Sequence, residues 1–317
     1  MKVFRQLGDV NWPGDINSAC AIGQFDGVHL GHQMVLSNAL RKAAILNGPS
    51  VVFTFSNHPQ SLISKTPTPL LSTLDERLER FEAMGFDAAL VLAFTPELMT
   101  MPAAAFVQQI LIETLHVKAV SVGYDHRFGK DRQGDGAFLS EQGKQHGFDV
   151  VIVEPVSRNH QIISSTVIRK LLTYGDLTTA NALLGYPYPL TGTVVHGLGR
   201  GQQINVPTAN IELPPNRLLP ANGVYAGYAT LLDSHMRWPA VANMGVCPTF
   251  GAQATPRLEV HLLDYDGETL YGRNLRFECI DRLRPEQSFA SVEALVEQIQ
   301  LDIAQARQIL QHPTTVH

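Results

Sequence analysis

The chain has 317 residues, 44% of them hydrophobic and 17% charged, with a formal net charge of −5. That length admits two domains with separate cores, and the acidic balance argues against a general nucleic-acid binder. Cys20, Cys247 and Cys279 lie far apart with no Cys-x-x-Cys pair, which argues for reduced thiols in the cytoplasm and against a disulfide framework or a zinc site.

The first elements come early. Ala19 to Ile22 reads as a short buried strand. His32 to Asn47 reads as a helix, because Val35, Leu36, Ala39, Leu40, Ala43 and Leu46 recur at helical spacing before Asn47-Gly48-Pro49. Between them stand Gly23, Phe25, Asp26, Gly27, His29 and Gly31, with His32 at the helix start. The glycines let backbone pass close to a ligand. A helix start offers unpaired N–H groups and the positive end of its dipole. His29 and His32 are spaced to hydrogen-bond a phosphate oxygen that gains charge during reaction, so this strand–turn–helix is read as a phosphate site.

Val51 to Phe55 is the next strand, and Thr73-Leu74-Asp75-Glu76 is a capping box opening a helix with Leu74, Leu78 and Phe81 on one face. Ala88 to Leu92 is a continuously apolar strand, followed by a helix over Ala103 to Leu115 and strands at Val117 to Val122 and Val150 to Val153. The longest apolar run, Ala88 to Phe94, is far too short to span a bilayer, and Met1 to Asp15 has no apolar signal core. Apolar strands separated by amphipathic helices predict an α/β unit with a parallel sheet covered on both faces. Ligands in such sheets bind beyond the carboxyl ends of the strands. Phe25 to His32 and Gly123 to Gly136 lie at two such ends and are expected to face one pocket. The second loop carries Asp125, His126 and Arg127; a third polar stretch, Ser164-Ser165-Thr166 with Arg169, stands ahead of a helical segment. Hydroxyls there cap the helix or donate to phosphate oxygens, and the Arg169 fork suits a polyphosphate. Alone, each of these two stretches reads better as a solvated loop or a cap; three polar loops on one rim point to a ligand.

At Gly185 the pattern changes, and the boundary is drawn there: residues 1–184 and 185–317. Strand signals at Leu190–His196, Ala209–Leu213, Val224–Leu232, Trp238–Met244, Leu258–Asp264 and Leu275–Leu283 predict a six-stranded antiparallel barrel. A closing helix has Val292, Leu295, Val296, Ile299, Ile303, Ala306 and Leu310 on its buried stripe. Gly197, Gly199, Arg200 and Gly201 form a second phosphate candidate, with Pro207, Thr208 and Asn210 following where a strand begins. No Gly-Lys-Ser/Thr occurs, which excludes a P-loop kinase. Thr208 and Asn210 project from one strand face and offer oxygen ligands suited to magnesium. Glu259 and His261 alternate with apolar residues; a surface glutamate is the commoner case, and catalysis the sharper one.

Taken in order, these elements resemble the prokaryotic bifunctional riboflavin kinase/FMN adenylyltransferase (FAD synthetase) family over essentially the full length. The carriers are Gly23 to Gln33, Phe53-Thr54-Phe55 with His58-Pro59, Gly123 to Gly129 and Ile163 to Arg169. In the second half they are Pro207 to Asn210, Gly223 to Ala226, Asn243-Met244-Gly245 with Pro248-Thr249-Phe250, Glu259-Val260-His261, Leu270-Tyr271-Gly272 and Leu283 to Glu286. The resemblance implies a Rossmann-like nucleotidyltransferase followed by a kinase barrel. It implies riboflavin, FMN and ATP as substrates, magnesium with ATP, and flavin turned over rather than permanently bound. It assigns catalysis to His29, His32 and Glu259, magnesium to Thr208 and Asn210, and a flavin contact to Arg284. It assigns ATP in the first half to Gly23, Phe25, Asp26, Gly27, Gly31, Asp125, Arg127, Ser164, Ser165, Thr166 and Arg169. No nucleic-acid or membrane partner is implied. The chain departs from the family pattern at Gln24, His126, Gln202 and Asn205. Alternatives are an enzyme with one of the two activities and a non-catalytic flavin-binding or sensing protein.

Overall fold

A computed structural model describes residues 1–12, 16–58, 68–159, 161–197, 201, 204, 206–247 and 255–311. Gly199, Arg200, Gln202, Asn205 and the 248–250 stretch lie outside the described residues. Chain packing divides the molecule into two units, Met1–Ser165 and Thr166–His317.

The first unit is built on β1 (Lys2–Phe4), β2 (Ser18–Ile22), β3 (Ser50–Phe55), β4 (Ala88–Leu92), β5 (Val117–Gly123) and β6 (Asp149–Val153). They pair in the order β1-β4-β3-β2-β5-β6, all parallel. Successive strands step one way from β2 to β4, and β5 then returns to β2's other side. The sheet therefore reverses direction between β2 and β5, which is where such folds bind ligands. Alternate side chains enter two cores. Cys20, Ile22, Phe53 and Val120 pack with Phe106, Ile110 and Leu139; Ala21, Val52 and Ala89 pack with Val35, Leu36, Ala39 and Phe81. The covering helices are α1 (Leu30–Leu46), α2 (Leu74–Ala83), α3 (Pro96–Thr100), α4 (Ala103–Ala105) and α5 (Gly136–His146). The helix expected over 103–115 forms, but α4 runs on as a π-helix over Phe106–Thr114. A short hairpin, β7 (Ser157–Arg158) with β8 (Gln161–Ile162), ends the unit.

The second unit takes α6 (Ser165–Tyr174) from Thr166 onward, α7 (Leu177–Leu184) and the barrel strands β9 (Tyr188–Val195), β10 (Ala209–Glu212), β11 (Gly223–Leu231), β12 (Arg237–Cys247), β13 (Thr255–Leu262) and β14 (Asn274–Arg284). The strands close antiparallel in the order β10-β13-β12-β11-β14-β9. Tyr225, Ala242, Leu258, Val260 and Phe277 fill the interior and are fully buried. The closing helix α8 (Val292–Gln311) covers the outer face, with Ala306 and Ile303 against Val224, Ala226 and Val241. Val292, expected on the buried stripe, is 58% exposed. It opens α8, where the helix has not yet come down on the barrel. Asp302, a charged residue, is buried on that stripe instead.

Upstream of the barrel, Asn181 of α7 joins two backbones. Its amide donates to Cys279 O at 2.9 Å and its oxygen accepts from Tyr188 N at 2.8 Å. Cys279 and Cys20 are buried free thiols, and burial pushes both pKa values up, that of Cys20 to about 12. Asn181→Ala leaves two buried backbone groups unpaired, so we expect a loss of about 1–3 kcal/mol in chemical denaturation of the second unit. A fragment starting at Thr166 should accordingly melt higher than one starting at Gly185.

Candidate functional sites

At the β2 end of the reversal, the chain leaves the sheet through Gly23, whose N–H still reaches Phe53 O. It then turns sharply, with Phe25 at φ 51°, Gly27 at 82° and Val28 at 34°. A β-branched residue at positive φ is strained, and such strain persists only where the surroundings hold it. His29 caps α1: its Nδ1 accepts from His32 N at 3.2 Å. The two imidazoles stack at 3.6 Å between centroids, and the Phe25 ring meets His32 edge-on at 5.4 Å. A Cβ on Gly31 would lie 3.2 Å from the His29 ring, so a larger residue there would push the ring aside by a few tenths of an ångström. Two histidines therefore stand together where the first turn of a helix leaves N–H groups for an anion.

Asp26, expected at the phosphate, turns its carboxylate inward. It accepts from Leu71 N at 3.1 Å and from Ser72 N and Oγ at 2.9 and 3.1 Å. A carboxylate is repelled by phosphate, and this one fixes the segment leading into α2. Gly27 N donates to Ser72 Oγ at 2.7 Å. Ser165 also serves the loop, its Oγ donating to Asp26 O at 2.9 Å. Ser164 is half-buried ahead of α6. Thr166 is exposed and Arg169 half-buried, both on the part of α6 that packs with the second unit.

At the neighbouring β5 end, Asp125 and Arg127 are exposed, and Arg127 Nη1 donates to the His126 carbonyl at 2.9 Å. His126 stacks on Phe128 at 5.7 Å. Burial, then Arg127 and Arg132, push its pKa down to about 4, so the ring is neutral at pH 7, and its buried Nε2 has no partner among the described residues. β2 and β5 are adjacent and parallel, so the 23–29 and 123–129 loops emerge side by side. Sequence reading missed Arg77 of α2, which is 3% exposed and donates to Gln24 O, Thr54 Oγ1 and Phe55 O at 2.7, 3.0 and 3.0 Å.

The second site lies outside the barrel wall, in a cavity of about 580 Å3 lined by Thr208, β11–β14 and α8. Register builds its polar row. Asn210 of β10 and Asn243 of β12 both stand directly opposite Glu259 of β13. Leu258 and Val260 point into the barrel, so Glu259 and His261 face out into the cavity. Arg257 Nη1 donates to Glu259 Oε1 at 3.3 Å, a half-exposed pair of small energetic weight. His261 Nδ1 donates to Pro207 O at 2.7 Å, which fixes the turn before Thr208. The Asn210 amide fills the space a Cβ on Gly197 would need, and Thr208 Oγ1 lies 3.3 Å from the Cβ position of Gly201. Both described ends of the glycine loop thus rest on Thr208 and Asn210. Arg284, expected to touch flavin, gives its fork to Asp302 of α8, with Nε and Nη2 at 3.0 and 2.8 Å from the carboxylate. Gln298 joins the same carboxylate at 3.0 Å, and Arg284 Nη1 reaches Pro285 O at 3.1 Å. His261, Asn243, Asp302 and Phe289, which sequence reading did not assign to a site, line the cavity with Thr208 and Glu259.

Two family models match the chain, FAD synthetase over residues 13–167 and riboflavin kinase over 184–310. A bifunctional riboflavin kinase/FMN adenylyltransferase from Pseudomonas fluorescens is 38% identical over 97% of both chains. The chain belongs to the bifunctional riboflavin kinase/FMN adenylyltransferase family. A member from Listeria monocytogenes is 36% identical over 91% of both chains. The crystal structure of a macrolide-efflux protein from Streptococcus pneumoniae is similar, with a TM-score of 0.84 at 30% identity, covering 96% of this chain and 98% of that one. Among the described residues no helix is long and apolar enough to cross a membrane.

Asp302→Ala strands the Arg284 charge in the cavity wall, so we expect a stability loss of about 3 kcal/mol in the second unit on denaturant titration. His126 has a folded pKa of about 4, below the ~6.5 of a free imidazole, so the unfolded chain binds more protons between those values. Stability is therefore full above about pH 6.5 and falls as pH drops toward 4. His126→Phe should flatten that part of the curve of melting temperature against pH.

Proposed function

We propose that the barrel unit phosphorylates riboflavin to FMN with ATP, and that the parallel-sheet unit joins FMN to the AMP part of a second ATP, giving FAD and pyrophosphate. The observation that carries this reading is that one chain holds two unlike sites: a histidine pair at a helix start beside a sheet reversal, and a carboxylate in a cavity on a barrel wall.

In the first, a phosphate oxygen of FMN attacks the α-phosphorus of ATP as the bond to the pyrophosphate bridging oxygen breaks. No enzyme nucleophile is needed, since positioning and charge stabilisation suffice for this class. The α1 N–H groups, His29 and His32 face the charge that builds on the phosphoryl oxygens. Ser164, Thr166, Arg169, Asp125 and Arg127 are proposed around the triphosphate. In the second, Glu259 orients the ribityl 5′-hydroxyl and takes its proton as the oxygen bonds to the γ-phosphorus and the bond from that phosphorus to the β,γ-bridging oxygen breaks, releasing ADP. Val224, Val241, Phe289, Leu295 and Ile299 give the cavity an apolar wall for the flavin rings, and about 580 Å3 is in the range of small-molecule sites. Pro207, Gly197, Gly199, Arg200 and Gly201 are proposed on the nucleotide side.

Thr208 Oγ1 and the Asn210 side-chain oxygen are hard donors beside the glycine loop, a set that suits magnesium. Thr208 and Asn210 would hold the ion there, and it would supply positive charge to offset that of the triphosphate. Reduced cysteines fit a cytoplasmic enzyme. The boundary near Gly185 is proposed as the start of the kinase barrel proper, with α6 and α7 as its leading brace.

Chromatographic separation of flavins after incubation with riboflavin, ATP and magnesium tests this reading. The parent should make FMN and then FAD. His32→Ala should slow FAD formation by ~10²- to 10³-fold while FMN still forms. Glu259→Gln should slow phosphorylation by ~10²- to 10⁴-fold and leave FAD formation from supplied FMN intact. Equal loss of both activities in either folded variant would contradict two separate sites.

A further inference from the structure

We infer that Arg77 is a positioning residue for adenylyl transfer: its buried guanidinium holds the 23–29 loop in the strained form that sets His29 and His32 at the start of α1. The inference rests on the adenylylation reading given above.

Arg77 shares its helix face with Leu74 and Phe81, three and four residues away. An apolar side chain would fill that place without the penalty of desolvating a charge. Burial does weigh on it: the pKa of Arg77 is pushed down to about 10, with Asp26 acting the other way. The neighbouring Glu76 carboxylate is turned to the helix start, where it accepts from Thr73 N. What the charge secures is visible in its partners. Gln24 O and Phe55 O lie at the carboxyl ends of adjacent strands, and Thr54 Oγ1 stands between them and also donates to Gln24 O. Among the described residues the Nε–H has no partner, so the two terminal nitrogens do the holding.

From Gln24 the chain enters the strained turn at once, with Phe25 and Val28 at positive φ. α2 and the residues leading into it grip this turn at every step. Arg77 holds Gln24, Phe81 packs edge-on against Phe25 at 5.8 Å, Leu71 and Ser72 bind Asp26, and Ser72 receives Gly27 N–H. The Phe25 ring touches His32, so release of Gln24 passes through Phe25 to the histidine pair. Misplacing a catalytic group by about 1 Å costs ~10²-fold in rate.

The test uses the full-length chain and two variants. Arg77→Met should lower kcat for FMN adenylylation by ~10²-fold with a much smaller change in KM for ATP, while riboflavin phosphorylation by the same polypeptide is unchanged. Arg77→Lys should recover much of that kcat at neutral pH. It should lose it as pH rises through a lysine pKa depressed by the same burial, across a range where the parent holds its rate. Independently of turnover, the ring resonances of His29 and His32 should shift in the methionine variant and return toward parental positions in the lysine variant at neutral pH. Parental kcat and parental histidine resonances in Arg77→Met overturn the inference. So does a lysine variant that matches methionine at every pH in both readouts; if Arg77→Met fails to fold, the lysine pH profile decides. A parent that forms no FAD defeats the adenylylation reading, and the resonances then decide the role of Arg77 alone.

Discussion

A turn that places Phe25 and Val28 at positive φ beside the sheet reversal survives only because other elements hold it there. Asp26 is bound to Leu71 and Ser72, Arg77 to Gln24, and Ser165 to the Asp26 carbonyl. These bonds direct the chain into α1 with His29 as its cap and His32 stacked on it. Everything proposed for the first unit depends on that grip. Donors already aimed need no reorganisation when charge develops, which is how preorganised sites gain their effect.

The barrel solves a similar problem by register. Cross-strand pairing sets Asn210, Glu259 and Asn243 in one row, and the two-residue strand period puts that row outside while Leu258 and Val260 fill the interior. A one-residue slip would bury Glu259 in the barrel. The outer face then needs a cover. α8 supplies it, tied to β14 through the Arg284–Asp302 fork, and the space left between them is the cavity.

Much of this was legible in the sequence. β4 is a continuous apolar run, β2, β3, β5 and β6 are mostly apolar, and the six barrel strands carry β-branched and aromatic residues between turn signals, so their places followed from pattern alone. The His29–His32 turn was legible because glycines and histidines cluster at a strand-to-helix change. What stayed hidden has physical reasons. α5 buries only Gly136, Leu139 and Gly143, too little apolar period to read as a helix. β1 has three residues, and α3 five. Arg77 and Asp302 sit on apolar helix stripes, where a charged residue is ordinarily taken for a solvated one. Asp26 looked like part of the phosphate loop because sequence cannot tell which way a carboxylate turns. The contact of His261 stayed hidden because its partner, the Pro207 carbonyl, lies 54 residues away in the chain, ahead of β10.

The most direct test of the central claim is a crystal structure of the full-length protein with a non-hydrolysable ATP analogue, compared with the same crystals without it. A prebuilt loop requires Phe25 and Val28 to stay at positive φ in both, with the His29–His32 stack and the Arg77–Gln24 bond unchanged and the analogue's phosphates at the start of α1. If the loop takes up this form only when the analogue is bound, or the phosphates lie elsewhere, the preorganised phosphate site is contradicted.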